Sequence, residues 1–148
     1  MPYAPRALWL LVTLAALSAC SDDDKAERLR AAGPNPSPEA LLRVAKPAAG
    51  ARLFGRCAAC HTIGQGAPNR AGPNLYGVVG RPVAAIPTFG YSHALKSAGG
   101  TWNPERLDTW LAAPAKFAPG TSMTFAGLGD PLDRADVIAY LQSQGVPR

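Results

Sequence analysis

Two cysteines and a histidine stand close together near the middle of the chain. The string CAACH at residues 57–61 places Cys57 and Cys60 three positions apart, with His61 next. Cysteines at this spacing near a helix end share one face, so both thiols can grip one edge of a porphyrin while the histidine reaches its iron. CxxCH is the attachment signature of a c-type haem. A thioredoxin-like CxxC would require a βαβ context that the sequence lacks, and a zinc site would require a second ligand pair.

A second axial ligand to the iron has few candidates. His93 is the only other histidine, and Met123 is the only methionine beyond Met1. Met123 lies in a loop rich in proline and glycine, outside any amphipathic period, where a methionine of the core is less expected. Its alternative role is core filler. His93, at the start of a short helical stretch, is typical of a surface histidine.

Three main helices are predicted around these residues. The first covers about residues 47–60, the second starts after an Asn103 cap and stops before Pro114, and the third runs from about 130 to 145. Residues 62–90 hold six glycines and four prolines and are predicted as loop. No alternating strand pattern appears. The fold class is therefore all-α with long loops, and a haem would supply the apolar mass that so thin a core lacks.

Composition excludes several classes of protein. The chain has 148 residues, three cysteines, 7% aromatic and 17% charged residues. One domain with a tail fits this length. Three cysteines allow at most one disulfide and fall short of a Cys₄ zinc site, and the composition is not that of a coiled coil or a nucleic-acid-binding tail. The net charge of +5 lies in residues 44–148, which hold ten basic and five acidic residues.

The N-terminal segment has the pattern of an export signal. Residues 1–19 place a positive charge ahead of a thirteen-residue, largely apolar stretch that is short for a membrane span. The string LSAC, which ends at Cys20, resembles a bacterial lipobox, so Cys20 is predicted to carry a lipid after cleavage. Ordinary cleavage and an uncleaved anchor are the alternatives. Residues 20–43 are predicted to form a flexible tether, followed by a haem domain at 44–148.

From about residue 45 onward the chain resembles the class I cytochromes c, the mitochondrial and bacterial small carriers. Gly50 and Phe54 before the CxxCH motif match the first helix of that family, and Val137 and Tyr140 match the last helix that crosses it. The order of the motifs is also that of the family. The resemblance implies the class I cytochrome c fold, with three main helices, short helices and long loops around one covalent haem c.

The same resemblance implies a set of haem contacts. The Pro73 carbonyl would accept a hydrogen bond from Nδ1 of His61, and Met123 would be the second axial ligand of the iron. The haem propionates would be contacted by Arg81, Tyr91 and Trp102. Met123 would be flanked by Thr121 and Phe125.

The function that these features predict is one-electron transport in a periplasmic respiratory or photosynthetic-type chain, without enzyme activity. Redox proteins would be its donor and acceptor, a lipid on Cys20 would hold it at the membrane, and it would bind no nucleic acid and be monomeric. The alternatives are a haem subunit dedicated to one dehydrogenase, and a peroxidase or gas sensor with a labile methionine ligand. The family's mitochondrial carriers have lysine where this chain has Ser122. This difference favours a partner that is less acidic than the family's usual oxidase.

Overall fold

The computed structural model describes residues 20–145 and the side chains from residue 24 onward. Within that range no strand forms, and the single extended pairing is an antiparallel bridge between Pro82 and Thr101. The predicted all-α class is confirmed. The predicted signal peptide, residues 1–19, lies outside the described range. The helices are α1 (Cys20–Ala32), α2 (Pro38–Val44), α3 (Pro47–Leu53), α4 (His93–Ala98), α5 (Pro104–Ala112), α6 (Pro114–Phe117) and α7 (Pro131–Ser143), with a 3₁₀ turn at Phe54–Arg56.

The crossing of α3 and α7 organises the fold. A Cβ added to Gly50 of α3 would overlap the backbone of Asp136 and lie 2.8 Å from the Cβ of Tyr140. Any side chain at this position would therefore collide with α7. The ring of Phe54 packs against that of Tyr140, with the centroids 5.3 Å apart. Glycine thus permits the close approach of two backbones, and the aromatic pair stabilises it.

Local signals begin the two longer helices of the haem region where the sequence predicts them. The Asn103 side chain accepts from the Arg106 amide, and the Asp130 side chain accepts from the amides of Leu132 and Asp133. Each cap is followed by proline at the first helical position, where no amide hydrogen is needed. The first helix ends earlier than predicted, because the chain tightens into the 3₁₀ turn at Phe54–Arg56 before the cysteines.

The main core lies between α3, α5 and α7 and the loops. Val137, Ile138 and Leu141 of α7 are each at most 3% exposed, and Leu107 and Leu111 of α5 pack in the same cluster. Several half-buried apolar side chains line its border, including Cys57, Leu75, Val79, Val83, Tyr91, Met123 and Phe125. Four of the predicted haem contacts, Cys57, Tyr91, Met123 and Phe125, belong to this border.

The flexible tether predicted for residues 20–43 differs from the structure. Two helices, α1 and α2, occupy most of this segment. Helix α2 buries Ala40 and Leu41, and Leu41 packs against Leu132 and Ala135 of α7. Arg28 of α1 is 8% exposed. The composition of residues 20–43 is proline-rich and charged, which suggested a solvated chain. The residues that this segment pairs with lie about a hundred positions further along the chain, so they leave no pattern within the segment itself.

None of the helices in the described range combines the length and the hydropathy that a membrane crossing requires.

Candidate haem site

The CxxCH motif sits in a compact turn that continues the 3₁₀ turn. The Cys57 amide donates to the Phe54 carbonyl at 2.8 Å, and the amides of Cys60 and His61 both donate to the Cys57 carbonyl, at 3.0 and 2.9 Å. Both cysteines carry free thiols, Cys57 half-buried and Cys60 exposed. Burial raises the pKa of the Cys57 thiol, which Arg56 partly opposes. The two sulfurs are therefore thiols available for covalent attachment rather than a disulfide.

The His61 ring is held in one orientation. Its Nδ1 lies 2.7 Å from the Pro73 carbonyl oxygen, the contact that the family resemblance implies. Because a carbonyl only accepts, Nδ1 carries the proton and Nε2 keeps its lone pair. Burial lowers the pKa of His61, although the bond to Pro73 acts in the opposite direction. The ring is thus a neutral imidazole with Nε2 free to ligate a metal.

A backbone wall supports the other side of this ring. Gly72 is buried so close to His61 that an added Cβ would lie 2.7 Å from both ring nitrogens. The Gly72 amide donates to the Cys60 carbonyl at 2.8 Å, and its own carbonyl accepts from the Arg70 amide at 2.8 Å. The loop that follows the motif therefore folds back onto it, and glycine is the residue that leaves room for the imidazole.

Arg81 is a half-buried cation held by main-chain carbonyls. Its Nη1 and Nη2 donate to the carbonyls of Tyr76 and Asn74, each at 3.1 Å. Burial lowers the pKa of Arg81, an effect that the nearby Tyr91 offsets in part, and burial likewise raises the pKa of Tyr91. Arg81 forms no ion pair within the described residues. An anionic group of a ligand would complete the neutralisation of this charge.

Trp102, the third predicted propionate contact, belongs to an aromatic cluster. It is 7% exposed and lies 5.5 Å from Trp110 and 5.7 Å from Phe117 between ring centroids. The guanidinium of Arg106 sits over Phe117 at 5.0 Å, and it donates to the carbonyls of Ala98 and Gly99 at the end of α4.

Nothing in the sequence singled out Arg106 as a support of the aromatic cluster around Trp102. As one charge on an amphipathic helix it looks solvated, and its aromatic and carbonyl partners come from other elements.

The methionine loop runs between α6 and α7 and is pinned at both ends. The Thr121 amide donates to the Ala118 carbonyl at 2.9 Å, and the Leu128 amide donates to the Leu111 carbonyl at 2.8 Å. Within the loop the Thr121 hydroxyl accepts from the Met123 amide at 3.3 Å. Met123 is half-buried at the border of the main core. Phe125 lies under Arg56, whose Cζ is 5.8 Å from the ring centroid, and this contact joins the loop to the CxxCH side.

Among the described residues, the second histidine forms no hydrogen bond with the residues of the candidate site. His93 is exposed at the start of α4, and its Nδ1 lies 3.4 Å from the Ser97 hydroxyl. The Cys20 side chain is outside the part of the chain whose side chains are described, so the predicted lipid attachment remains a prediction.

The residues present fit a covalently bound haem. Two free thiols stand next to a neutral imidazole whose Nε2 is available, half-buried apolar side chains form a border, and the half-buried Arg81 has no acidic partner in residues 24–145. A porphyrin needs these features, namely covalent anchors, an axial nitrogen, apolar walls and a cation for its propionates. Fold and site together define a c-type haem protein.

The chain belongs to the cytochrome c family, whose family model matches residues 47–145. It is 49% identical to a cytochrome c homologue of Bradyrhizobium diazoefficiens over 106 residues, which are 71% of this chain and 58% of the relative. It is 45% identical to cytochrome c2 of Agrobacterium tumefaciens over 97 residues, 64% of this chain and 87% of the relative. The structure of cytochrome cH from Methylobacterium extorquens superposes with a TM-score of 0.63 at 42% identity, covering 66% of this chain and 98% of that one.

These similarities confirm the predicted class I cytochrome c family and fold and the single covalent haem c. Proteins of this family are electron-transfer proteins and not enzymes. The chain spans 58% and 59% of the lengths of the homologues from Bradyrhizobium diazoefficiens and Rickettsia prowazekii.

Proposed function

We propose that this protein is a one-electron carrier that uses a c-type haem with His61 and Met123 as axial ligands. The observation that carries the proposal is the His61 ring, whose Nδ1 is fixed by the Pro73 carbonyl beside the free thiols of Cys57 and Cys60. The family to which the chain belongs supports it, because its members transfer electrons. When bound, the haem supplies a one-electron change at iron, and ligation by His and Met raises its reduction potential and leaves no open coordination site.

The protein's own residues keep this site rigid. Pro73 fixes the tautomer of His61, and Gly72 prevents the ring from turning towards the loop. Thr121 orients the backbone of Met123. Arg81, half-buried and held by the carbonyls of Tyr76 and Asn74, would compensate the negative charge of the propionates. A site that is held in this way changes little between oxidation states, which favours rapid electron exchange over ligand chemistry.

The axial assignment is tested by the ferric absorption spectrum of the purified holoprotein. Met123→Ala is expected to abolish the weak charge-transfer band of methionine bound to iron, and Met123→His should keep a low-spin spectrum without that band. His93→Gln is the matched control for the remaining histidine, because His93 is exposed in α4. Retention of the methionine band in Met123→Ala would refute the assignment. A parent spectrum that lacks the band and loses its low-spin character in His93→Gln would also refute it and would point to His93 as the ligand.

The protein is exported and attached to the membrane by a lipid on Cys20, on the periplasmic side. The apolar stretch in residues 1–19 and the lipobox-like LSAC support this part of the proposal. The intact mass of the mature protein tests it together with haem addition, since cleavage before Cys20, acylation and haem each change the mass by a distinct amount. A mature chain that begins elsewhere, or that carries haem without lipid, would contradict the anchor while leaving electron transfer intact.

The partners are redox proteins of membrane respiratory complexes, which the carrier meets as a monomer in short-lived encounters. Two basic residues lie at the CxxCH motif, since Arg56 is exposed just before it and Arg70 donates to the Ala58 carbonyl. Such charge steers an acidic partner in a salt-dependent manner. Purification from membranes in mild detergent tests a free carrier, because a subunit dedicated to one dehydrogenase would stay with that enzyme.

A further inference from the structure

Helix α1 makes little apolar contact with the rest of the protein: among its described side chains, residues 24–32, the small Ala32 packs beside Leu41, Leu132 and Ala135. Its one large apolar residue, Leu29, is 36% exposed. The attachment consists instead of charged side chains that reach α7 and the start of α3. Helix α2 differs, since Leu41, 3% exposed, packs against Leu132, which is fully buried. The two neighbouring helices are therefore held by different forces.

Three charged residues of α1 form the attachment. Lys25 Nζ lies 2.8 Å from Asp130 and 2.6 Å from Asp133, both at the start of α7. Arg28 pairs with Asp136 of α7, and its Nε also donates to the Val44 carbonyl at 2.9 Å. Asp24 accepts from Lys46 at 2.6 Å.

These pairs differ in exposure. The Arg28 and Asp136 side chains are 9% and 4% exposed, whereas the other charged side chains are between 28% and 53% exposed. Salt screens the exposed pairs strongly and the buried pair much less. The buried pair also depends on geometry, because removing one partner leaves an uncompensated charge in the protein.

We infer that α1 is an ion-pair latch, which docks on α7 as a helix in one state and is released in another, where it loses its helix because an isolated helix of 13 residues is marginal in water. When docked, Arg28 lies about 12 Å along the helix from Cys20, at 1.5 Å per residue. When released, the roughly 18 residues from Cys20 to the Ser37 cap form a flexible chain with a root-mean-square span of about 24 Å. The latch therefore sets how far, and in which orientation, the haem domain stands from residue 20.

The consequence for electron transfer rests on the proposed lipid anchor at Cys20. With α1 docked, the exposed edge at Cys60 keeps one orientation to the membrane, which favours a partner in the same membrane. With α1 released, the domain reaches farther and samples more orientations, at a lower effective concentration near any one partner. The latch itself does not depend on the lipid, so its existence can be tested separately.

The test is hydrogen–deuterium exchange on the full-length holoprotein, whose intact mass records haem and lipid. Raising salt from about 20 mM to about 0.5 M shortens the Debye length from roughly 20 Å to about 4 Å. Amides of residues 24–32 should then exchange several-fold faster, while those of α2, α3 and α7 stay unchanged. Arg28→Gln should accelerate exchange in residues 24–32 about tenfold already at low salt, the loss of roughly 1.4 kcal/mol of docking.

Arg30→Gln is the matched control, because Arg30 is exposed and its Nε donates only to the Ala26 carbonyl of the same helix. Lys25→Gln is a second variant that leaves no buried charge, and it should accelerate exchange in residues 24–32 with α7 intact. Slow exchange that neither salt nor Lys25→Gln changes would overturn the latch. Equal acceleration in Arg30→Gln would also overturn it, since α1 would then respond to charge in general. Each result holds whether or not the mass shows a lipid.

Discussion

Substitution of Gly72 by alanine is expected to damage the site from its backbone side. The added Cβ would lie 2.7 Å from Nδ1 and Nε2 of His61, closer than real Cβ contacts allow. The ring cannot retreat freely, because the Pro73 carbonyl holds Nδ1 at 2.7 Å. The backbone of residue 72 is fixed by hydrogen bonds to Cys60 and Arg70, each 2.8 Å long. Either the imidazole turns or the loop moves.

The cost follows from these contacts. Overpacking a tight site costs about 1–3 kcal/mol, and weakening the hydrogen bond between His61 and Pro73 adds about 1 kcal/mol. The sum, about 3 kcal/mol, corresponds to a fall in melting temperature of roughly 10–20 °C for a domain of this size. Gly72 is not among the glycines with positive φ, so steric collision alone is responsible.

Guanidinium unfolding of the holoprotein, followed by far-ultraviolet circular dichroism, measures the change. Gly90→Ala is the matched control, since nothing lies within 4 Å of a Cβ there and its φ is ordinary. It should leave the free energy of unfolding within about 0.5 kcal/mol of the parent. A Gly72→Ala protein as stable as Gly90→Ala, with an unchanged ferric spectrum, would refute the packing of Gly72 against His61.

Two further predictions concern α7 and the helices that dock on it. Leu132→Ala, at a fully buried position beneath α2, should lower the free energy of unfolding by about 2–5 kcal/mol in thermal or denaturant unfolding. Leu29→Ala, at an exposed position of α1, should change this free energy little. Equal effects of the two substitutions would contradict the packing of α2. Docking of α1 should weaken at both extremes of pH. Burial by itself raises the pKa of Asp130 and lowers that of Lys25, but their mutual hydrogen bonds shift the pKa of Asp130 below its ordinary value and that of Lys25 above it. The stabilisation from Asp130 is therefore lost as pH falls below about 4, and that from Lys25 as pH rises above about 10.5. Amide exchange of residues 24–32, corrected for the intrinsic effect of pH, checks both limits, and flat protection across them would contradict this.

Local chemistry made much of the haem domain predictable. The CxxCH motif lies within five consecutive residues, so haem attachment can be recognised from it without knowledge of the fold. The starts of α5 and α7 were likewise readable, because an N-cap and the following proline act on the adjacent amides. The loop over residues 62–90 followed from its glycines and prolines. The resemblance to a family then supplied the pairing of Pro73 with His61, which no local rule yields.

Contacts between distant residues were not predictable in the same way. The guanidinium of Arg106 over Phe117 and the glycine wall behind His61 combine groups from separate elements. Charge patterns suggested a flexible tether before α3, because a segment without an apolar period has no visible reason to dock. Its partners are aspartates of α7 that lie 108 residues further along the chain.

By itself, the sequence determined that this protein attaches a haem and which residues begin its helices, because covalent attachment and capping are decided within a few neighbouring residues. Only the tertiary structure decided that residues 20–43 form two helices on α7. An ion pair forms only when both charges are in place. Asp136, which pairs with Arg28, is brought there by the crossing of α3 and α7 at Gly50.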